Sequence, residues 1–153
     1  MGGSYFDDLE VGQEFVSPSR TITEADIVNF AGISGVYHPI HTDTEYAKKS
    51  IFGERVAHGP LILSISFGLM ERLALFEEAL IAFLSLNWEF VRPVRIGDTI
   101  TVVDTVLEKR ETRKADRGVV VFDREVLNQK KEVVQKGKWT GLLRRSERQE
   151  DGE

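Results

Sequence analysis

The order of apolar and polar positions divides the chain into a helical first half and a strand-rich second half. Residues 11–22 read as an opening strand interrupted by Pro18, which has no amide to donate. Thr23 followed three residues later by Asp26 predicts the cap of a helix running through Ser34, and Gly35 ends it. The stretch GVYHPIHTDTEYA, residues 35–47, then departs from the pattern. Pro39 biases His38 away from helical geometry, so a loop is expected there. A short helix is expected from about Asp43 through Ala47, with Asp43 as its cap, Glu45 as a first-turn carboxylate and Gly53 closing the segment.

From residue 60 to about 77, apolar side chains point to nearly every side of a helix, and such a helix must be surrounded. Strands follow. Leu84, Leu86, Trp88 and Phe90 alternate with Ser85, Asn87 and Glu89, the period of a strand with one apolar face. Runs at 99–108, 118–127 and 133–143 are rich in β-formers and separated by polar turns such as NQKK, which predicts an antiparallel meander. One long buried helix followed by about four strands packs most simply as a curved antiparallel sheet wrapped around that helix, an α+β hot-dog arrangement. Such a layer leaves a sheet edge and helix surface uncovered, so a homodimer is expected.

Composition narrows the function. With 153 residues, 41% hydrophobic and 29% charged, the chain suits one domain, taken as 1–144, with a polar tail at 145–153. The absence of cysteine excludes disulfides, thiol nucleophiles and cysteine-based zinc sites. A net charge of -5 argues against a general nucleic-acid binder, which needs a basic surface. The acidic start does not read as a signal peptide, and the apolar run at 61–70 stops at Glu71 and Arg72, too short for a membrane span. A cytoplasmic protein without membrane contact is expected.

All three histidines, His38, His41 and His58, fall in one window. HPIHTD with His58 could supply zinc ligands, but the irregular loop makes that spacing uninformative, and no metal is expected. The basic stretch EKRETRKADR reads as a solvated turn, Ser64 and Ser66 as hydroxyls bonded back to helix carbonyls, and Trp88 and Trp139 as core or interface aromatics.

Several segments together, YFDDLEVGQEF, TITEADIVNFAGISG, HPIHTDTEYAKKSIFGERVAHG and GDTI, resemble the MaoC-type acyl dehydratases, the (R)-specific enoyl-CoA hydratase group. The likeness extends through about Arg144. It implies a hot-dog fold and reversible addition of water to a trans-2-enoyl-CoA, giving a (R)-3-hydroxyacyl-CoA, with no cofactor. It also implies that His41 moves the proton and that the Gly59 amide, ahead of the buried helix with Pro60 in its first turn, receives the enolate charge. The family pattern has aspartate five positions before the histidine, where this chain has Val36, and asparagine two positions after that, where it has His38. His38 is the first candidate to replace the missing carboxylate. Val36, His58 and Pro60 are assigned to the substrate pocket, and His58 read structurally would orient the Gly59 turn through a side-chain hydrogen bond. Two other readings stay open: an acyl-CoA-binding or regulatory module without hydration, and an acyl-CoA thioesterase.

Overall fold

A computed structural model describes residues 4–146. The first elements are a 3₁₀ turn (Phe6–Asp8), β1 (Glu14–Val16) and β2 (Arg20–Thr21), with Pro18 between the two strands. Helix α1 (Glu24–Ser34) begins and ends where local chemistry demands. The Asp26 amide donates to the Thr23 hydroxyl, and the Thr23 amide donates to the Asp26 carboxylate at 2.8 Å. Gly35 adopts φ 74° and its amide donates to the Ala31 carbonyl, closing the helix.

The expected loop after Gly35 is partly helical. Pro39–Thr42 forms a single turn, α2, because proline at a first helical position lacks only an amide that would have no helical partner. His38 stays extended, as the residue before proline should, and becomes the cap of that turn. Helix α3 (Thr44–Lys48) follows directly, capped by the Asp43 carboxylate, which accepts from the Tyr46 amide at 3.0 Å. Glu45 pairs with Lys48 on the surface.

Helix α4 (Gly59–Glu71) is shorter than its apolar pattern. Leu73, Leu75 and Phe76 continue the pattern, but the backbone turns away through Ala74 at φ 51° and these side chains reach the core from a loop. Nor is the helix surrounded within one chain: Pro60, Ser64 and Gly68, spaced by four, form an exposed stripe. Ser64 and Ser66 bond back to the carbonyls of Pro60 and Leu63, as expected.

Four long strands complete the chain: β3 (Leu80–Phe90), β4 (Thr99–Glu111), β5 (Arg117–Leu127) and β6 (Val133–Arg144). They pair antiparallel in the order β1-β4-β5-β6-β3, with β2 also on β4. Alternate residues of the sheet, among them Ile100, Val102, Val126 and Val134, pack in one core with Leu61, Ile62, Leu69 and Met70 of α4. Two inward positions carry opposite charges. Asp104 and Arg124 are direct partners across β4 and β5 and are each 1% exposed.

The alternation in β3 is present but only partly buried. Leu84, Leu86 and Phe90 are 50%, 37% and 59% exposed, because β3 is an edge strand and α4 does not extend over all of its apolar face. At the other end, Arg145 and Ser146, assigned to the tail, stay attached: Arg145 pairs with Asp7 and Glu111, and Ser146 donates to Asp7. The rest of the expected tail, 147–153, lies outside the described residues. Among those residues no helix is long and apolar enough to cross a membrane.

Candidate active site

The three histidines meet where α2 passes the start of α4. The His41 and His58 rings stack, with centroids 3.9 Å apart and planes inclined by 25°. His38 meets His41 edge-on at 6.2 Å. Each ring is oriented by a different backbone group, and those groups decide where the protons sit.

His41 Nδ1 lies 2.7 Å from the Val56 carbonyl. A carbonyl only accepts, so Nδ1 carries the proton of the neutral ring and Nε2 keeps its lone pair. The pKa of His41 is lowered from 6.5, first because partial burial penalises the charged ring; the Val56 hydrogen bond opposes this, and His58 and His38 add to it. The result is a neutral imidazole at pH 7 with a free basic nitrogen.

His58 is 2% exposed, packed between His41 and the ring of Phe30, whose centroid lies 5.0 Å away. The expected bond to the Gly59 turn is not made. Instead Nε2 donates to the Val36 carbonyl at 2.9 Å, tying the end of α1 to the start of α4. Its Nδ1 is buried with no hydrogen-bond partner among the described residues. His38 is exposed and uses Nδ1 to accept the Ile40 amide at 3.2 Å, so its role as a cap takes one of its two nitrogens.

Gly59 opens α4, and the helix's own hydrogen bonds begin behind it, with Leu61 and Ile62 both donating to the His58 carbonyl. A cavity of about 470 Å³ lies against this end, with Gly59, Pro60, Ile62, Phe90, Arg92 and Gln135 in its wall. Of the six residues assigned from the sequence, Gly59 and Pro60 line it. His41 stands behind the wall, reaching it through Val56, whose carbonyl it holds. Val36 and His58, assigned to the pocket, do not line it. Val36 is 46% exposed and contributes its carbonyl to the site, whereas His58 is enclosed between two rings.

Sequence reasoning missed the Val56 carbonyl, which carries no side-chain signal, and the wall residues Phe90, Arg92 and Gln135. Gln135 could have been found: it is the one amide in the inward series Gln135, Gly137, Trp139, Gly141, Leu143. Among the described residues no group of three or more His, Cys, Asp or Glu side chains is placed to hold a metal ion.

Residues 8–128 match the MaoC like domain family. The chain belongs to this family. It is 42% identical over 113 residues to Protein MaoC of Klebsiella aerogenes, an alignment covering 74% of this chain but only 33% of that protein. Against an (R)-specific enoyl-CoA hydratase of Rhodospirillum rubrum it is 38% identical over 102 residues, covering 67% and 69% of the two chains. The match thus spans about a third of the length of the one relative and about two thirds of the other. A solved structure described as a monoamine oxidase regulatory protein from Archaeoglobus fulgidus is 38% identical and superposes with a TM-score of 0.88, covering 94% of this chain and 96% of that one. The MaoC-like dehydratase of Rhodospirillum rubrum gives 0.83 at 29% identity, covering 94% and 99%. A Mycobacterium tuberculosis protein with a double hot-dog fold gives 0.85 at 22% identity, covering 98% of this chain and 47% of that one, a likeness of fold alone. Both the MaoC-like family and the hot-dog fold expected from the sequence therefore hold, with α4 as the helix inside the curved sheet.

Proposed function

We propose that the protein adds water reversibly to a trans-2-enoyl-CoA, giving a (R)-3-hydroxyacyl-CoA. The reading rests on one observation above the others: His41 is held neutral with Nε2 bare, stacked on the residue that immediately precedes the first amide of α4. In the hydration direction Nε2 takes a proton from water as its oxygen bonds to the β-carbon. The π electrons of the double bond move toward the thioester, whose oxygen gains enolate charge. The Gly59 amide, at the positive end of the α4 dipole, stabilises that charge. The proton then passes from the imidazolium to the α-carbon, so the ring ends as it began. An apolar cavity at the same helix end suits an acyl thioester, and the relatives named as hydratases support the choice. The reaction assigns no step to a cofactor.

The proposal includes a homodimer, supported by the free edge of β3 and by the exposed Phe83, Leu84, Leu86 and Phe90 along it, and a cytoplasmic location. Light scattering on the purified protein tests the first. A monomer at micromolar concentration counts against it.

A second reading has its own support. Among the described residues the side chains that shift His41 are two other histidines and no carboxylate, and the position five residues before it presents the exposed side chain of Val36. On that reading the protein binds acyl-CoA without hydrating it. Purified protein incubated with a short trans-2-enoyl-CoA separates the two by mass spectrometry: a gain of one water supports hydration, unchanged substrate with saturable binding supports the module, and free CoA thiol identifies a thioesterase.

A further inference from the structure

A glycine at the start of a helix supplies an amide but little to hold that amide still, because without Cβ its backbone torsions are the least restrained in the chain. Two contacts from the sheet act on Gly59. The Phe90 ring lies so close that a Cβ added to Gly59 would fall 2.7 Å from two of its carbons. The side chain of Gln135 reaches across from β6 and donates Nε2 to the Gly59 carbonyl at 3.0 Å.

Gln135 is itself held. It is 2% exposed, and its Oε1 accepts from the Trp88 indole nitrogen at 2.9 Å. The direction of this amide is unambiguous: an indole N–H can only donate and a carbonyl can only accept, so a flipped amide would lose both bonds at once. Trp88 on β3, Gln135 on β6 and Gly59 on α4 therefore form one polar chain through the interior, and its last link is the peptide joining Gly59 to Pro60. Pro60 has no amide, so the carbonyl of that peptide is the only group through which it can be hydrogen-bonded.

We propose that Trp88 and Gln135 are positioning residues for the reaction, fixing the Gly59 turn so that its amide faces the thioester oxygen. The inference rests on the proposed role of Gly59 and gives Gln135 no contact with the reacting atoms. A buried amide here has a cost that a leucine of similar size would avoid, and the polar chain it completes ends at the helix start rather than within the core.

Two variants test it, Gln135→Leu and Trp88→Phe, the second keeping an aromatic ring in the same packing. Each should lower kcat about 10- to 100-fold, since small misplacement of an oriented group costs rates of this order, while KM changes less than about threefold. A merely structural role would instead alter folded yield or KM and leave kcat of the folded fraction intact, and that result overturns the proposal. A second readout needs no turnover. In ¹⁵N-labelled protein, Gln135→Leu should shift the Gly59 amide and the Trp88 indole resonances and leave the Trp139 indole in place. An unmoved Gly59 amide overturns the relay even if the wild type is active. A shifted amide in a wild type inert toward enoyl-CoA supports the relay and removes the hydratase reading alone.

Discussion

Two buried polar clusters border α4, one at its amino end and one along its second half, and they are built on opposite principles. Along the second half, Arg124 donates Nε and Nη2 to the two oxygens of Asp104 at 2.6 and 2.7 Å and Nη1 to Ser66, while Trp139 donates to the same carboxylate. The guanidinium also lies over the Phe67 ring, 4.1 Å from its centroid. Opposite charges are closed on one another by hydrogen bonds. At the amino end two stacked imidazoles are anchored to carbonyls instead, and among the described residues one leaves Nε2 uncommitted and the other an unpartnered Nδ1. A closed network holds a fold in one arrangement. An open one leaves a lone pair for chemistry.

Breaking each cluster should therefore give different kinds of damage. Asp104→Ala leaves a buried guanidinium unpaired and should cost about 3–5 kcal/mol, read as a lower denaturant midpoint. His41→Ala should lower hydration about 10²–10⁴-fold while the denaturant midpoint moves far less than for Asp104→Ala. Equal loss of stability in both variants would erase the distinction. Val36→Asp places a carboxylate where the family pattern has aspartate and should raise turnover about tenfold or more. It should also raise the pKa of His41, because a nearby negative charge favours the imidazolium.

The pH dependence sharpens the comparison. With the folded pKa of His41 below 6.5, the acid limb of kcat/KM should have its midpoint below 6.5. The unfolded ring binds a proton at higher pH than the folded one. His41 thus contributes stability above pH 6.5 that is lost as pH falls through the folded value. An acid limb above 6.5 would show that another group governs the rate. The smallest expected effect lies far from both clusters: Thr23→Ala removes the α1 cap and should cost about 1 kcal/mol with kcat unchanged.

How much of this was legible in the sequence depended on the range of the interactions involved. The Thr23–Asp26 cap, the Gly35 stop and the Asp43 cap were readable because each is decided within a few residues. The strands were readable from their period, and the family from motifs in order. The end of α4 was not, since Leu73, Leu75 and Phe76 satisfy a helical pattern while packing from a loop. The site was half legible. Three histidines in one window pointed to it, but their spacing carried no information on which rings touch, and His38, the expected replacement for the carboxylate, lies farther from His41 than His58 does.

The chain by itself determined its helix caps, its strand-forming runs and the family to which it belongs, because caps, turn residues and side-chain period act locally and survive in any compact arrangement. Tertiary structure alone decided which carbonyls hold His41 and His58, that Asp104 faces Arg124, and that Gln135 reaches Gly59. Those outcomes join residues 15 to 76 positions apart. Pairings over such distances become definite only when the sheet has closed on the helix and water no longer competes for the bonds.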